Sequence, residues 1–107
     1  MAEFASDILF SIDTALQLKN GLNAETITVT KTLTYQSSSY QALKNNTGTL
    51  DTVLPSPKSG CSFWIKSRAS STHNIVLKDH AGNTIKTLAA GDGVFVSCDD
   101  AAWYDLS

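Results

Sequence analysis

Residues 26–35 read TITVTKTLTY, with threonine at every even position from Thr26 to Thr34 and Ile27, Val29, Lys31, Leu33 and Tyr35 between them. Successive side chains of a β-strand point to opposite faces, so a period of two puts all the hydroxyls on one side and mostly apolar bulk on the other. A helix would scatter these threonines around its circumference, and β-branched residues are mediocre helix formers. The stretch is therefore read as one strand. Its apolar face packs on a core, and its threonine face meets water, a second sheet or another subunit.

The rest of the chain repeats the pattern in shorter pieces. A short strand is expected around Tyr40 to Leu43, after the polar stretch QSSS. LDTVLP reads as a strand closed by Pro55, and SPKSG as a turn cluster. In CSFWIKSRA, Cys61, Phe63 and Ile65 alternate with Ser62, Trp64 and Lys66. NIVLKD and TIKTLA flank DHAGN, where Gly82 supplies the positive φ of a hairpin turn. AGDG turns again before VFVSC, and DDAA turns before the closing strand WYDLS. Short strands separated by turn signals at this spacing describe an all-β fold, a single antiparallel β-sandwich or barrel of jelly-roll type.

The first stretch, ILFSIDTALQLKNG, supports two readings. As a helix it aligns Ile8, Leu9, Ile12, Ala15 and Leu16, with Ser6 or Asp7 to cap its start and Gly21 its end. As a strand it puts Ile8, Phe10, Ile12, Leu16 and Leu18 on one parity. The extended form is preferred, because the segment runs straight into a strand. Residues 1–21 are thus an N-terminal extended arm or first strand, and residues 22–107 one β-sandwich or barrel domain.

Bulk properties narrow the function. The chain has 107 residues, which suits one domain with a sizeable core. Its formal charge is -2 and its basic residues are scattered, so nucleic acid is not the expected partner. No apolar run reaches the length of a membrane span, and MAEFASDILF lacks the basic leader of a secretion signal. Cys61 and Cys98 share the parity of apolar neighbours and read as small buried hydrophobes, reduced when made; a disulfide or a reactive thiol is the alternative.

The checks for chemistry return little. His73 and His80 flank one strand, about 20 Å apart if extended, too far to share an ion. Asp79, Asp92, Asp99 and Asp100 fall at turns, where aspartate caps backbone N–H groups; a calcium site on GDG and DD is the sharper alternative. No serine sits in a strained glycine elbow, and no glycine loop cradles phosphate. Glu25 and Asp51 are the only carboxylates considered for a hydrolase pair. No catalytic residue, metal or cofactor is expected, and the chain is read as not an enzyme. The Asn45–Thr47 sequon carries little without a secretion signal. A single Thr-x-Thr strand is too narrow to order ice-like water.

The aromatics point toward association. Trp64 lies on the parity opposite Phe63 and Ile65; facing outward it would mark a subunit contact or a sugar-stacking platform, while burial under a second sheet or loop is the plainer reading. Trp103 is the better core candidate of the final pair. Tyr35 and Tyr40 flank the serine loop, as recognition residues or lids on the core.

Residues Leu54, Pro55, Gly60, Ile75, Leu77, Asp79, Gly82, Ile85, Leu88, Gly91, Val94 and Trp103 form a pattern of strand, xIxLxDxxGxxI hairpin, Gly-Asp-Gly turn, strand and Trp. This half of the chain resembles small β-structured virion proteins of tailed bacteriophages: head decoration or cement proteins, head fibres and tail-fibre modules. The usual Asp-Gly before the last Trp is DDAAW here. The resemblance implies a non-enzymatic structural role, foremost a capsid decoration (cement) protein that binds the major capsid protein of the assembled head. It implies a homo-oligomer, trimer favoured, made in the host cytoplasm and located in the virion, with no membrane partner. The alternative is a tail-fibre or carbohydrate-binding recognition module. The interface candidates are Phe4, Phe10, Thr28, Thr30, Thr32, Tyr40 and Trp64.

Overall fold

The computed structural model describes residues 21–58 and 60–107. The arm, with Phe4 and Phe10, lies outside the described residues. The described residues form nine strands: β1 (Leu22–Ile27), β2 (Lys31–Thr32), β3 (Tyr40–Asn45), β4 (Leu50–Val53), β5 (Ser62–Ser67), β6 (Ile75–Lys78), β7 (Thr84–Leu88), β8 (Gly93–Cys98) and β9 (Trp103–Asp105). No helix occurs among the described residues.

The strands form two sheets, β1-β3-β5-β8-β9 and β2-β4-β6-β7. The chain alternates between them. It runs β1 to β2, returns as β3, crosses to β4, returns as β5 and crosses to β6. Each return lays a strand parallel to the one before: Leu22 pairs Tyr40 and Tyr40 pairs Trp64 in the larger sheet, while Thr52 pairs Lys31 and Leu77 in the smaller. Three two-strand turns stack as a short flattened coil. Only then does the chain turn antiparallel, through the β6–β7 hairpin, the β5–β8 pair and β9 on β8.

The architecture is layered all-β, as expected, but two expectations are corrected. The sheets are mixed and open, not antiparallel, and no closed barrel forms among the described residues. The threonine run is also not one strand. It spans the end of β1, a corner at 28–30, and β2 in the other sheet. The alternation survives the corner: Thr26, Thr28, Thr30, Thr32 and Thr34 are all exposed, while Ile27 and Leu33 are buried. Val29, at the apex of the corner, points out. A salt bridge of 2.7 Å from Lys31 to Glu25 braces the bend.

The core lies between the sheets. Leu43, Ile65 and Val96 from the larger sheet meet Ile75, Leu77 and Leu88 from the smaller in one apolar cluster. Burying such side chains stabilises by about 1.5–3 kcal/mol each. Trp103 closes this layer as expected: it is buried, packs its ring 5.8 Å from Phe63, and donates from Nε1 to the Pro55 carbonyl at 2.8 Å. Toward β1 the interior turns polar, where Asn23 donates to Gln41 Oε1 at 2.7 Å.

Asn45 pins one coil turn to the next. It is fully buried at the end of β3. Its Nδ2 donates to the carbonyls of Gly48 and Asn74, at 2.6 and 2.9 Å, and its Oδ1 accepts from Thr47 N–H. Its backbone N–H donates to Ser71 Oγ, and its carbonyl accepts from the N–H groups of Thr72 and His73. The acceptor nitrogen of the sequon is thereby occupied inside the fold.

Candidate functional site

The candidate site follows from strand parity and register together. In β3, β5 and β8 the inward positions are Gln41, Leu43 and Asn45, then Phe63, Ile65 and Ser67, then Val94, Val96 and Cys98. The alternate residues face out. Register then aligns Leu22, Tyr40, Trp64 and Phe95 as neighbours across four strands. The Trp64 and Phe95 rings stack with centroids 4.2 Å apart, and Tyr40 lies parallel to Trp64 within 2° at 6.2 Å. Such pairs add about 0.5–1.5 kcal/mol beyond the area they bury. Two residues further along the register, on the same face, run Ala24, Ala42, Lys66 and Gly93. A ridge of aromatic and aliphatic side chains thus borders a trench in which Lys66 stands between the small residues Ala42 and Gly93.

The result is an open groove of about 470 Å³ across the outer face of the larger sheet. Leu106 and Ser107 line its far end. The Leu106 N–H donates to the Phe95 carbonyl, and Ser107 Oγ accepts from the Phe95 N–H, so the chain end is held beside β8. Among the described residues the large exposed apolar side chains are Leu22, Val29, Trp64, Tyr104 and Leu106. Three of them, Leu22, Trp64 and Leu106, meet at this one groove. Trp64 is 49% exposed, so the expectation that it lies under a second sheet or loop is corrected: parity turns it outward, and no described segment crosses it.

The structure brings Tyr40 and Trp64 together and leaves the threonines elsewhere. Thr28 and Thr30 sit at the β1–β2 corner and Thr32 in β2, beyond the groove. Parity alone could not single out Leu22, Phe95 and Leu106. Their membership depends on which strands are neighbours, and that is set by the coil. Phe95 beside Trp64 also bears on the sugar-stacking reading. A pyranose needs an open ring face, whereas Phe95 covers one face of the indole and Tyr40 flanks the ring.

The polar candidates have structural work. Glu25 pairs with Lys31, and Asp51 with Lys78 at 3.1 Å, in different sheets. Asp79 Oδ1 accepts the N–H groups of Ala81 and Asn83 at 2.9 and 2.8 Å, and its Oδ2 accepts Asn83 Nδ2. Partial burial alone would raise the Asp79 carboxyl, but the Asn83 and Ala81 bonds outweigh it and hold it below its usual range. Asp99 is lowered by the N–H groups of Ala101 and Ala102, at 2.7 and 2.9 Å, and by the Tyr104 hydroxyl. Asp92 accepts the Ala89 N–H at 3.0 Å. His73 Nδ1 contacts Thr72 Oγ1 at 3.1 Å on the surface. Among the described residues no three His, Cys, Asp or Glu side chains converge as a metal site. No described helix is long and apolar enough to cross a membrane.

Compared with known proteins, the chain matches no family model, no curated protein and no solved structure.

Proposed function

We propose that this chain is a non-enzymatic structural protein of a tailed-phage virion, a decoration protein that works by association. The outer face of its five-stranded sheet is the contact between copies of the chain. The resulting closed oligomer, a trimer, binds the assembled head through the major capsid protein. The observation that carries this reading is the row Leu22–Tyr40–Trp64–Phe95 beside the Ala42–Gly93 trench.

A surface of this kind has two physical consequences. Clustered apolar side chains gain by leaving water, and surface aromatics at the centre of a patch carry much of an interface's energy. Ridge and trench also lie side by side on one face. Because they are two different strips, the ridge of one copy can seat in the trench of the next around a ring, the heterologous contact that a closed trimer needs. Lys66 lines the groove, where its stem can pack while its ammonium stays in water. Binding the assembled shell and not its separate subunits would stabilise the shell by mass action.

The test is the solution mass of the full chain by light scattering, paired with co-sedimentation on empty heads. The wild type is expected to be a trimer that pellets with heads. Trp64→Ser should keep the β spectrum by circular dichroism, fall to a monomer and lose at least tenfold in head binding. A wild-type monomer, or a Trp64→Ser protein that remains trimeric, would remove the groove from the subunit contact. Pelleting with bacterial cells or their polysaccharide, and not with heads, would replace decoration by host recognition.

A further inference from the structure

Cys61 and Cys98 face each other at one end of the larger sheet. β5 and β8 are antiparallel with Ser62 opposite Ser97, so the next position pairs Cys61 with Cys98. The Cys98 N–H donates to the Cys61 carbonyl at 3.1 Å, and Ser97 Oγ donates to the same oxygen at 3.2 Å. Both cysteines lie on the inward parity. Cys98 is buried, and Cys61, half-buried, packs against the same core.

A second set of bonds draws them onto one atom. The Lys58 carbonyl accepts the Cys61 N–H at 3.3 Å and the Cys98 thiol at 3.0 Å. The Lys58 N–H in turn points at Cys98 Sγ at 3.3 Å. The Cys98 sulfur is therefore held over the turn from which Cys61 enters the sheet. Burial raises the Tyr35 phenol above its ordinary value, and the charges that Cys61 and Cys98 can carry add to that rise.

We infer that Cys61 and Cys98 are an oxidisable pair that closes to a cross-strand disulfide by exchange with a low-molecular-weight disulfide such as oxidised glutathione. The more exposed Cys61 reacts first. Its thiolate attacks one glutathione sulfur, the glutathione S–S bond breaks, and one glutathione thiolate leaves. The Cys98 thiolate then attacks Cys61 Sγ and expels the second. Two protein thiols become one disulfide, one glutathione disulfide becomes two glutathione thiols, and the two protons released by the protein end on those thiols.

Geometry also sets the character of the bond. Residues directly opposite in an antiparallel pair have Cα atoms about 4.5–5.5 Å apart, inside the range a disulfide spans. Their β-carbons must still draw together, and the Lys58 contacts must give way. Strained disulfides of this sort have more oxidising potentials and are readily reduced, so the pair suits reversible closure and not a permanent staple. The inference does not depend on the virion reading, although a chain made in a reducing compartment and exported to an oxidising one would meet both states.

The experiment is intact-mass spectrometry of the wild-type chain after incubation with oxidised glutathione, followed by maleimide labelling in denaturant. The expected product has lost two hydrogens, takes no maleimide, and regains two labels after dithiothreitol. Peptide mapping should join the segment containing Cys61 to that containing Cys98. Cys98→Ser should stop at one lasting glutathione adduct on Cys61. Wild-type protein that ends with glutathione adducts and no loss of two hydrogens would overturn the pairing, as would two thiols that stay unmodified. Because the mapping uses the wild type, a variant that fails to fold leaves the result decisive.

Discussion

At the scale of single residues, buried polar groups separate those that specify the coil from those that merely occupy it. Asn45 has donor and acceptor groups engaged on both sides, and its amide links the carbonyls of Gly48 and Asn74. Asn45→Ala removes three hydrogen bonds from a fully buried side chain and empties its space, although the Asn74 carbonyl keeps the Leu50 N–H, so it is expected to cost about 2–4 kcal/mol, read as a lower urea midpoint. Thr52 is the opposite case. It is fully buried in β4, and its Oγ1 has no hydrogen-bond partner among the described residues. Thr52→Val keeps the β-branched shape and removes the desolvated hydroxyl, so stability should rise by about 1 kcal/mol in the same titration. The sequence hid the importance of Asn45. In NNT it looks like turn chemistry, and nothing local shows that the chain will lay Asn74 beside it one coil turn later.

At the scale of elements, the sequence disclosed strands better than partners. Alternation placed Phe63 and Ile65 on one parity and Trp64 on the other, without showing that the second face was open, and turn chemistry placed the β6–β7 hairpin. Here Gly82 has φ +92° and Asp79 bonds across the turn. Gly82→Ala meets open space around its new Cβ, so its cost comes from backbone strain alone, about 1 kcal/mol. The check is a thermal melt, in which Gly82→Asn should lose less than Gly82→Ala because asparagine tolerates the left-handed region. What alternation could not disclose was direction. Parallel neighbours such as β1 and β3 are separated by a whole strand and two corners, and a period of two is the same in either pairing. The threonine run misled for a related reason: the parity persists through the corner at 28–30, so two strands in different sheets read as one. The groove was legible to the same degree. Trp64 was marked by parity and Tyr40 by its place beside the serine loop, whereas Leu22, Phe95 and Leu106 join them only through strand order.

At the scale of the whole molecule, the carboxyls that set the acid limit lie at turns and edges, while two phenols, the burial-raised Tyr35 and the edge residue Tyr104, set the alkaline one. Asp79, Asp99 and Asp105 all have carboxyls held below their ordinary range. Asp105 owes this first to the Ser107 N–H and then to the Ser107 hydroxyl. A carboxyl lowered by folding contributes stability that is complete above its unfolded pKa, about 4, and is lost as pH falls through the folded value. Tyr104 has the reverse sign. Its hydroxyl donates to Asp99 Oδ2 at 3.1 Å, and that bond, with the nearby charge, raises the phenol. Its contribution is complete below about 10 and is lost as pH rises through the higher folded value. The Asp99–Tyr104 contact, which ties the last turn to β9, is therefore weakened at both extremes. Urea midpoints measured from about pH 2.5 to pH 11 should form a plateau with an acid and an alkaline shoulder. Asp79→Asn with Asp99→Asn keeps oxygen acceptors at both turns but removes the charges, and should flatten the acid shoulder. Tyr104→Phe should reduce the alkaline one, leaving the part due to Tyr35, and keep most of the acid limb. A double asparagine variant whose midpoint falls between pH 5 and pH 3 as steeply as the wild type would show that other groups govern acid unfolding, and that these turns are held by shape and not by charge.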